Sequence, residues 1–358
     1  MGSSNVIWFE VLTPKQAMLF LAIGKKFQEL GFSTIYTTRD HDYIHDIFAY
    51  NNVEPISIGK YGGKTLEEKL LASSKRVVDM AEHIIGLENR PLMNITFSSP
   101  DASRVAFGLG IPIIIMNDTT HSKPVARLTL SLAKYLITQR SIDPNDFISL
   151  GANPDTIHRY EGVDEVEYLL NSFKTIQENR LQKKEKYLVF RPEESFAAYM
   201  KDKDKKPYLE LLEQAIESYN GRVFVLPRYK AQKEILLEHF EGKAEILDNG
   251  LFYIDMLSQA EVMITGGGTM AREAALVGIP AITYFWRHLE PQQFLEQQGF
   301  PSYSVQTVPD AKKLIKKICQ EPSKFAIDTS SLITKLERPS DILFKILKKD
   351  DFFKKYFS

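Results

Sequence analysis

The chain has 358 residues, too many for one ordinary hydrophobic core, so two domains are expected. Its 45 Lys and Arg offset 46 Asp and Glu to a net charge of -1, which excludes recruitment of nucleic acid or an anionic membrane by a global field. The single cysteine, Cys319, excludes an internal disulfide framework and a cysteine-rich metal site, and no apolar run reaches the roughly 18 residues that span a bilayer.

A composition of 44% hydrophobic and 25% charged residues is that of a soluble globular protein, and a reducing, cytoplasmic setting is expected. Residues 6–11 (V-I-W-F-E-V) read as a strand and 12–14 (L-T-P) as its turn. A helix over 14–30 then carries Ala17, Phe20, Leu21, Ile23 and Phe27 near one face. Gly31 ends it and 33–37 is a second strand, giving a βαβ unit whose loops open at the carboxyl edge of a parallel sheet. R-D-H (39–41) follows, with Asp40 read either as a helix cap or as a ligand. Strands at 53–58, 92–97, 111–116 and 135–138, with helices at 65–86 and 102–108, continue the pattern. The loop 59–64 (G-K-Y-G-G-K) reads as solvated chain, with anion binding as the alternative.

The strand at 111–116 runs into N-D-T-T-H (117–121), the densest polar cluster of this half. A carboxylate and an imidazole three residues apart, at the carboxyl end of a buried strand, make Asp118 and His121 candidate catalytic groups. Helix capping by Asp118 or Thr119 is the purely structural alternative. Residues 142–162 carry turn signals throughout and read as irregular chain. The polar run 177–186 marks a boundary between domains at 1–176 and 185–339.

The second half repeats the architecture, with strands at 187–190, 222–226 and 244–247 and helices at 207–219, 233–240 and 253–259. It culminates in 260–285, A-E-V-M-I-T-G-G-G-T-M-A-R-E-A-A-L-V-G-I-P-A-I-T-Y-F, read as strand, glycine turn, helix and strand. Gly266, Gly267 and Gly268 permit a sharp turn and close approach of a ligand, Thr269 suits a helix N-cap, and Gly278 stops the helix. Free amides at such a helix start, with the helix dipole behind them, suit a phosphate. Glu273, one turn into the helix, is placed to accept hydrogen bonds from sugar hydroxyls. Strand ends on the same edge present Arg191, Arg228 and Arg287, and two or three guanidiniums facing a helix start are what a diphosphate requires. The stretch also fits G-x-G-x-x-A through Gly266, Gly268 and Ala271, which keeps a dinucleotide fold as a rival. Against it, the following strand ends in Trp286 and Arg287 where NAD calls for an acidic residue. The tail 340–358, rich in Ile, Leu and Phe among lysines and aspartates, is read as a helix completing the first domain, with a peripheral membrane-surface helix as the alternative.

These motifs resemble the GT-B glycosyltransferases and the non-hydrolysing UDP-N-acetylglucosamine 2-epimerases. They are most similar to an uncharacterised prokaryotic family, a domain of unknown function related to both. The resemblance covers nearly the whole chain, through L-T-P (12–14), S-S-P-D-A-S-R-V-A-F-G-L-G-I-P (98–112), N-D-T-T-H (117–121), E-Y-L (167–169), F-R-P (190–192), L-P-R (226–228) and G-G-G-T-M-A-R-E-A-A-L-V-G-I-P (266–280). It implies an α/β fold of two Rossmann-like parallel-sheet domains facing across a cleft. It implies that Gly266 to Thr269 hold a diphosphate, with Arg191 and Arg228, and that Glu273 holds the ribose. Thr13, Gln16, Ser99 and Asp101 become acceptor-side candidates, Gln16 standing where the family pattern P-x-H has histidine. The epimerases' H-G-D-T is replaced by Ser98-Ser99-Pro100-Asp101. Asp202-Lys203-Asp204 fits D-x-D spacing but lies in a lysine-rich stretch, so no obligatory metal is expected. The expected activity is metal-independent inverting transfer from a UDP-sugar to a sugar or lipid-linked acceptor. A nucleotide-sugar epimerase and a non-catalytic nucleotide-sugar-binding subunit are the alternatives.

Overall fold

The computed structural model describes residues 5–40, 44–63, 65–182, 185–194, 206–247 and 253–357. His41, Lys64 and the 202–204 triplet, which the sequence reading singled out, lie outside them. The chain divides into two compact units, Met1–Tyr168 with Glu337–Ser358, and Leu169–Leu336.

In the first unit β1 (Val6–Glu10), α1 (Pro14–Glu29), β2 (Ser33–Asp40), α2 (Ile44–Tyr50) and β3 (Ile56–Lys60) form one wing of a parallel sheet. Then α3 (Leu66–Ile85), β4 (Met93–Thr96), α4 (Pro100–Gly108), β5 (Ile113–Met116), α5 (Lys123–Thr129), β6 (Tyr135–Gln139), α6 (Pro144–Ile148) and β7 (Ile157–Tyr160) form the other. The strand order is β3-β2-β1-β4-β5-β6-β7. Chain direction across the sheet therefore reverses between β1 and β4, and a crevice opens beyond the carboxyl ends of those two strands.

Local chemistry explains the helix starts. Thr13 accepts a hydrogen bond from the Gln16 amide and Pro14 opens α1, while Gly31, at φ 85, takes the left-handed position that ends it. Thr65 and Glu68 form a reciprocal capping box on α3. The central strands are apolar on both sides because helices cover both faces: Ile7, Trp8, Phe9, Ile95, Ile114 and Ile115 are fully buried. Trp8 satisfies its indole N–H through Thr37 Oγ1 at 2.7 Å.

Strand β7 occupies a stretch that the turn signals mark as irregular. As an edge strand, I-H-R-Y buries only its last residue, so the apolar pattern that reveals central strands is absent. The tail forms a helix, α15, only over Pro339–Leu347, shorter than expected. Its Phe344 ring packs 4.8 Å from Phe27, and Phe357 stands 5.0 Å from Phe32.

Helix α7 (Val166–Leu181) leads into the second unit. There follow β8 (Tyr187–Arg191), α8 (Pro207–Ser218), β9 (Arg222–Val225), α9 (Lys230–Phe240), β10 (Glu245–Ile246), α10 (Tyr253–Gln259), β11 (Ala260–Thr265), α11 (Thr269–Leu276), β12 (Ala281–Tyr284), α12 (Glu290–Gln297), β13 (Ser302–Val305), α13 (Val308–Gln320) and α14 (Ser330–Ile333). All pairs are parallel, in the order β10-β9-β8-β11-β12-β13. The reversal here falls between β8 and β11. One face is covered by α8 and α13, which bury Leu211, Leu212, Ile315 and Ile318 against Phe190, Ile264 and Ile282. No helix among the described residues is long and apolar enough to cross a membrane.

Candidate functional site

In the second unit the glycine turn follows β11, at the point where the strand order reverses. None of its three glycines has a positive φ, so their need is for space and not for a left-handed backbone. A Cβ on Gly266 would stand 2.4 Å from Glu193 Cβ and 2.6 Å from Glu193 Cα, because the loop after β8 lies directly against the turn. A Cβ on Gly268 would meet Arg272 Nη1 at 2.7 Å and Leu289 Cδ1 at 3.1 Å. On Gly267 it would meet the Arg228 guanidinium, Nη2 at 3.0 Å, and Thr265 Oγ1 at an ordinary contact distance of 3.9 Å.

Two of the glycine amides are already engaged: Gly266 N–H donates to Arg191 O at 3.0 Å and Gly267 N–H to Thr265 Oγ1 at 3.2 Å. The N-cap of α11 is Gly268, not Thr269 as the sequence suggests, since helical backbone geometry begins one residue earlier; Thr269 is the first helical residue. Among the described residues no side chain caps this start, and the positive end of a helix favours an anion. The turn is braced from behind by Gln292 of α12, fully buried, whose Nε2 donates to Gly268 O at 2.6 Å while its Oε1 accepts from Arg272 at 3.0 Å.

Arg228 is brought to the turn by the end of β9, its Nε donating to Pro192 O at 2.9 Å. Arg191 ends β8, adjacent to β11, and Glu273 is 4% exposed in the second turn of α11. Arg287 turns instead to Glu290, at 2.8 Å, and to His288 O. Glu193 lies in the loop after β8, against the glycine turn. It is 4% exposed, and its carboxylate faces Tyr284 and the Arg228 guanidinium. Burial raises its pKa, only partly opposed by Tyr284 and the Arg228 charge. Tyr208, at the start of α8, is pushed up to about 12 by burial and by Glu193.

The first unit gathers its polar groups on the carboxyl edge in two groups. Beside β1 and β4, Arg76 of α3 reaches Glu10 Oε1 at 2.7 Å, Asp101 Oδ2 at 3.1 Å and Ile58 O at 2.7 Å. Ser99 caps α4 and donates to Glu10 Oε1 at 3.3 Å. Of the acceptor-side candidates, Ser99 and Asp101 thus join one network. Thr13 caps α1, and Gln16 Oε1 accepts from the Leu12 amide at 2.7 Å. Ser98 adopts φ 56, a left-handed backbone unusual for a side-chain-bearing residue, and its Oγ accepts from Asn117 at 2.7 Å.

The second group centres on Lys15. Its ammonium lies 2.5 Å from Asp118 Oδ2, 2.6 Å from Asp164 Oδ2 and 3.8 Å from Glu165 Oε1, all largely buried. Thr119 donates to the other Asp118 oxygen at 2.9 Å, and the Tyr160 hydroxyl donates to Asp164. Burial raises the pKa of Asp164; Lys15 opposes this, while Asp118 and Glu165 reinforce it. Three carboxylates gathered around one ammonium, with the pKa of Asp164 raised, make a group suited to holding and moving a proton. His121 is half-buried in the loop ahead of α5. Asp164 and Glu165 follow the missed strand β7, and Lys15 lies in the Pro14-Lys15-Gln16 turn; only the crowding of charge after a buried strand could have pointed to them. Among the described residues no cluster of His, Cys, Asp and Glu has a metal-holding arrangement.

Two doubly wound parallel sheets, each with its polar groups at the reversal point, define an α/β protein of GT-B-like fold. The chain belongs to the family described as Protein of unknown function (DUF354), whose model matches residues 6–345. An uncharacterized protein of Methanocaldococcus jannaschii is 27% identical over 352 residues, 95% of this chain and 96% of that protein. Among solved structures, the UDP-GlcNAc 2-epimerase of Neisseria meningitidis bound to UDP-GlcNAc matches with a TM-score of 0.72 at 11% identity, covering 96% of this chain and all (100%) of that one. Anabaena HepE in complex with UDP and glucose matches at 0.63 with 12% identity, over 96% and 98% of the two chains. MurG of Acinetobacter baumannii matches at 0.55 with 14% identity, over 97% and 100%. At such identities the likeness is one of fold.

Proposed function

We propose that this chain is a nucleotide-sugar enzyme whose second unit holds the diphosphate of a UDP-sugar at the start of α11. The observation that carries this reading is the uncapped helix start behind a glycine turn at the sheet's reversal point, with the Arg228 guanidinium beside Gly267. Similarity in fold to proteins solved with UDP or UDP-GlcNAc supports the same assignment.

In this reading the amides at Gly268 and Thr269 and the charges of Arg191 and Arg228 receive the diphosphate, Gly266 and Gly267 shape the turn, and Glu273 takes the ribose. The reaction is a glycosyl transfer without an obligatory metal. The acceptor hydroxyl, on a sugar or lipid-linked molecule, gives its proton to Asp118 or His121 and bonds to the anomeric carbon as the bond to the diphosphate breaks, releasing UDP. Positive charge at the α11 start stabilises the leaving group.

A specific observation favours a second reading. Lys15 with Asp118, Asp164 and Glu165 is a richer acid–base group than transfer to an acceptor requires, and it suits an epimerase that moves protons on the sugar itself. Incubating the protein with UDP-sugars, with and without an acceptor, separates the readings by chromatography. UDP release that depends on an acceptor supports transfer, and a new isomer without an acceptor supports epimerisation. Calorimetric binding without turnover marks a binding subunit. Absence of binding by UDP and UDP-sugars, or stabilisation by NAD(P) alone, overturns the donor-site assignment.

A further inference from the structure

Helix α3 carries two apolar stripes, and the fold uses only one. Arg76, Met80 and Ile84 face inward onto the first unit's core. The outward stripe consists of Leu71, Ser74, Val78 and Ile85, all exposed, with Ala81 at its edge, half-buried and also touching the first unit's core; the spacings are three, four, three and four. This is the narrow a/d seam that packs one helix on another. Leu71 is 71% exposed, Val78 55% and Ile85 57%, and Leu66 (78%) and Leu70 (67%) are exposed in the first turns of the same helix. Of the fifteen large apolar side chains exposed among the described residues, these five share one helix, so the pattern is not the usual scatter. Phe107, 60% exposed, lies on the neighbouring α4.

We propose that this seam is the two-fold interface between two copies of this chain, α3 packing antiparallel on α3 of the second copy. The sequence of the stripe is self-complementary in that arrangement. Laying Val78 opposite Ala81 also lays Ser74 opposite Ile85, so each large residue meets a small one, and the symmetry repeats both pairs. In the same register Lys75 of one helix comes opposite Glu82 of the other, again twice; both side chains are exposed along one edge of the seam. A membrane surface is the poorer occupant, since Glu67 and Glu82 flank the leucines and would face anionic headgroups.

The test measures the mass of the full chain in solution by light scattering and sedimentation over a range of concentrations. The expected result is a two-chain mass. Val78→Glu and Leu71→Glu, at exposed positions that do not disturb folding, should give the one-chain mass with an unchanged circular-dichroism spectrum. Lys75→Glu or Glu82→Lys alone should weaken association roughly three- to tenfold, and the double reversal K75E/E82K should restore it. A one-chain mass at every concentration overturns the proposal. So does a dimer indifferent to Val78→Glu, or binding to phosphatidylglycerol vesicles that Val78→Glu abolishes in a protein that is otherwise monomeric. None of these residues belongs to the nucleotide-sugar site, so the UDP-binding measurement stands or falls separately.

Discussion

Lys15 Nζ stands 2.5 Å from Asp118 Oδ2, a contact that joins the first turn of α1 to the loop after β5 across 103 residues of sequence. The same ammonium serves Asp164, so removing it takes away the positive charge that these buried carboxylates share. Lys15→Met should destabilise the first unit by about 3 kcal/mol or more. The deficit should be smaller at pH 5 than at pH 8, because Asp164, whose pKa burial and the neighbouring carboxylates raise, takes up a proton as pH falls and so loses the charge that Lys15 offsets. Thermal denaturation at the two pH values checks this; an equal deficit at both would show that the carboxylates do not repel.

Glu193 predicts a different pH response. Its pKa is raised in the folded protein by burial, so its contribution to stability is complete below the ordinary carboxylate range and is lost as pH rises through the raised value. Glu193→Gln removes that loss. The variant should match the wild type in melting temperature near pH 4 and exceed it at pH 8. If the carboxylate serves the donor site, the same variant will bind UDP more weakly while being more stable.

The glycines of the turn should separate by role. Gly266→Ala places a methyl group within 2.6 Å of Glu193 backbone and Cβ atoms and should cost roughly 1–3 kcal/mol as the strand-end loop is displaced. Gly267→Ala meets closely the end of the Arg228 side chain, at 3.0 Å, and Thr265 Oγ1 at no less than 3.9 Å. It should fold normally yet bind UDP several-fold more weakly, because the guanidinium must move. Denaturation and calorimetry on the two variants distinguish these outcomes.

Arg76→Lys should behave as a disruptive change although it retains the charge. The guanidinium joins Glu10, Asp101 and the Ile58 carbonyl at once, which a single ammonium cannot do. A loss of roughly 3 kcal/mol is expected by chemical denaturation, with Arg76→Met at least as costly because Glu10 and Asp101 remain buried.

Much of the fold was legible because parallel strands covered on both faces appear as unbroken apolar runs, as in I-I-I-M at 113–116, and because caps such as Thr13, Thr65 and Ser99 are local signals. The edge strands β7 and β13 were not, because each buries only one of its four residues fully. The site was legible where its chemistry is backbone chemistry, in the run from Gly266 to Glu273. Lys15, Asp164, Glu165 and Glu193 were missed because a charged residue beside a turn looks the same whether it faces water or another charge.

Sequence alone determined the class of fold, the position of the glycine turn ahead of α11 and the family. All three rest on patterns of neighbouring residues, which the backbone reads locally through periodicity, capping and turn preference. Only the tertiary structure decided why Gly266 must be glycine, that Gly268 and not Thr269 is the N-cap, and that one lysine reaches three carboxylates. Those facts arise from approaches between segments distant in sequence, where burial converts an ordinary charge into one that must find a partner or give up its ionisation.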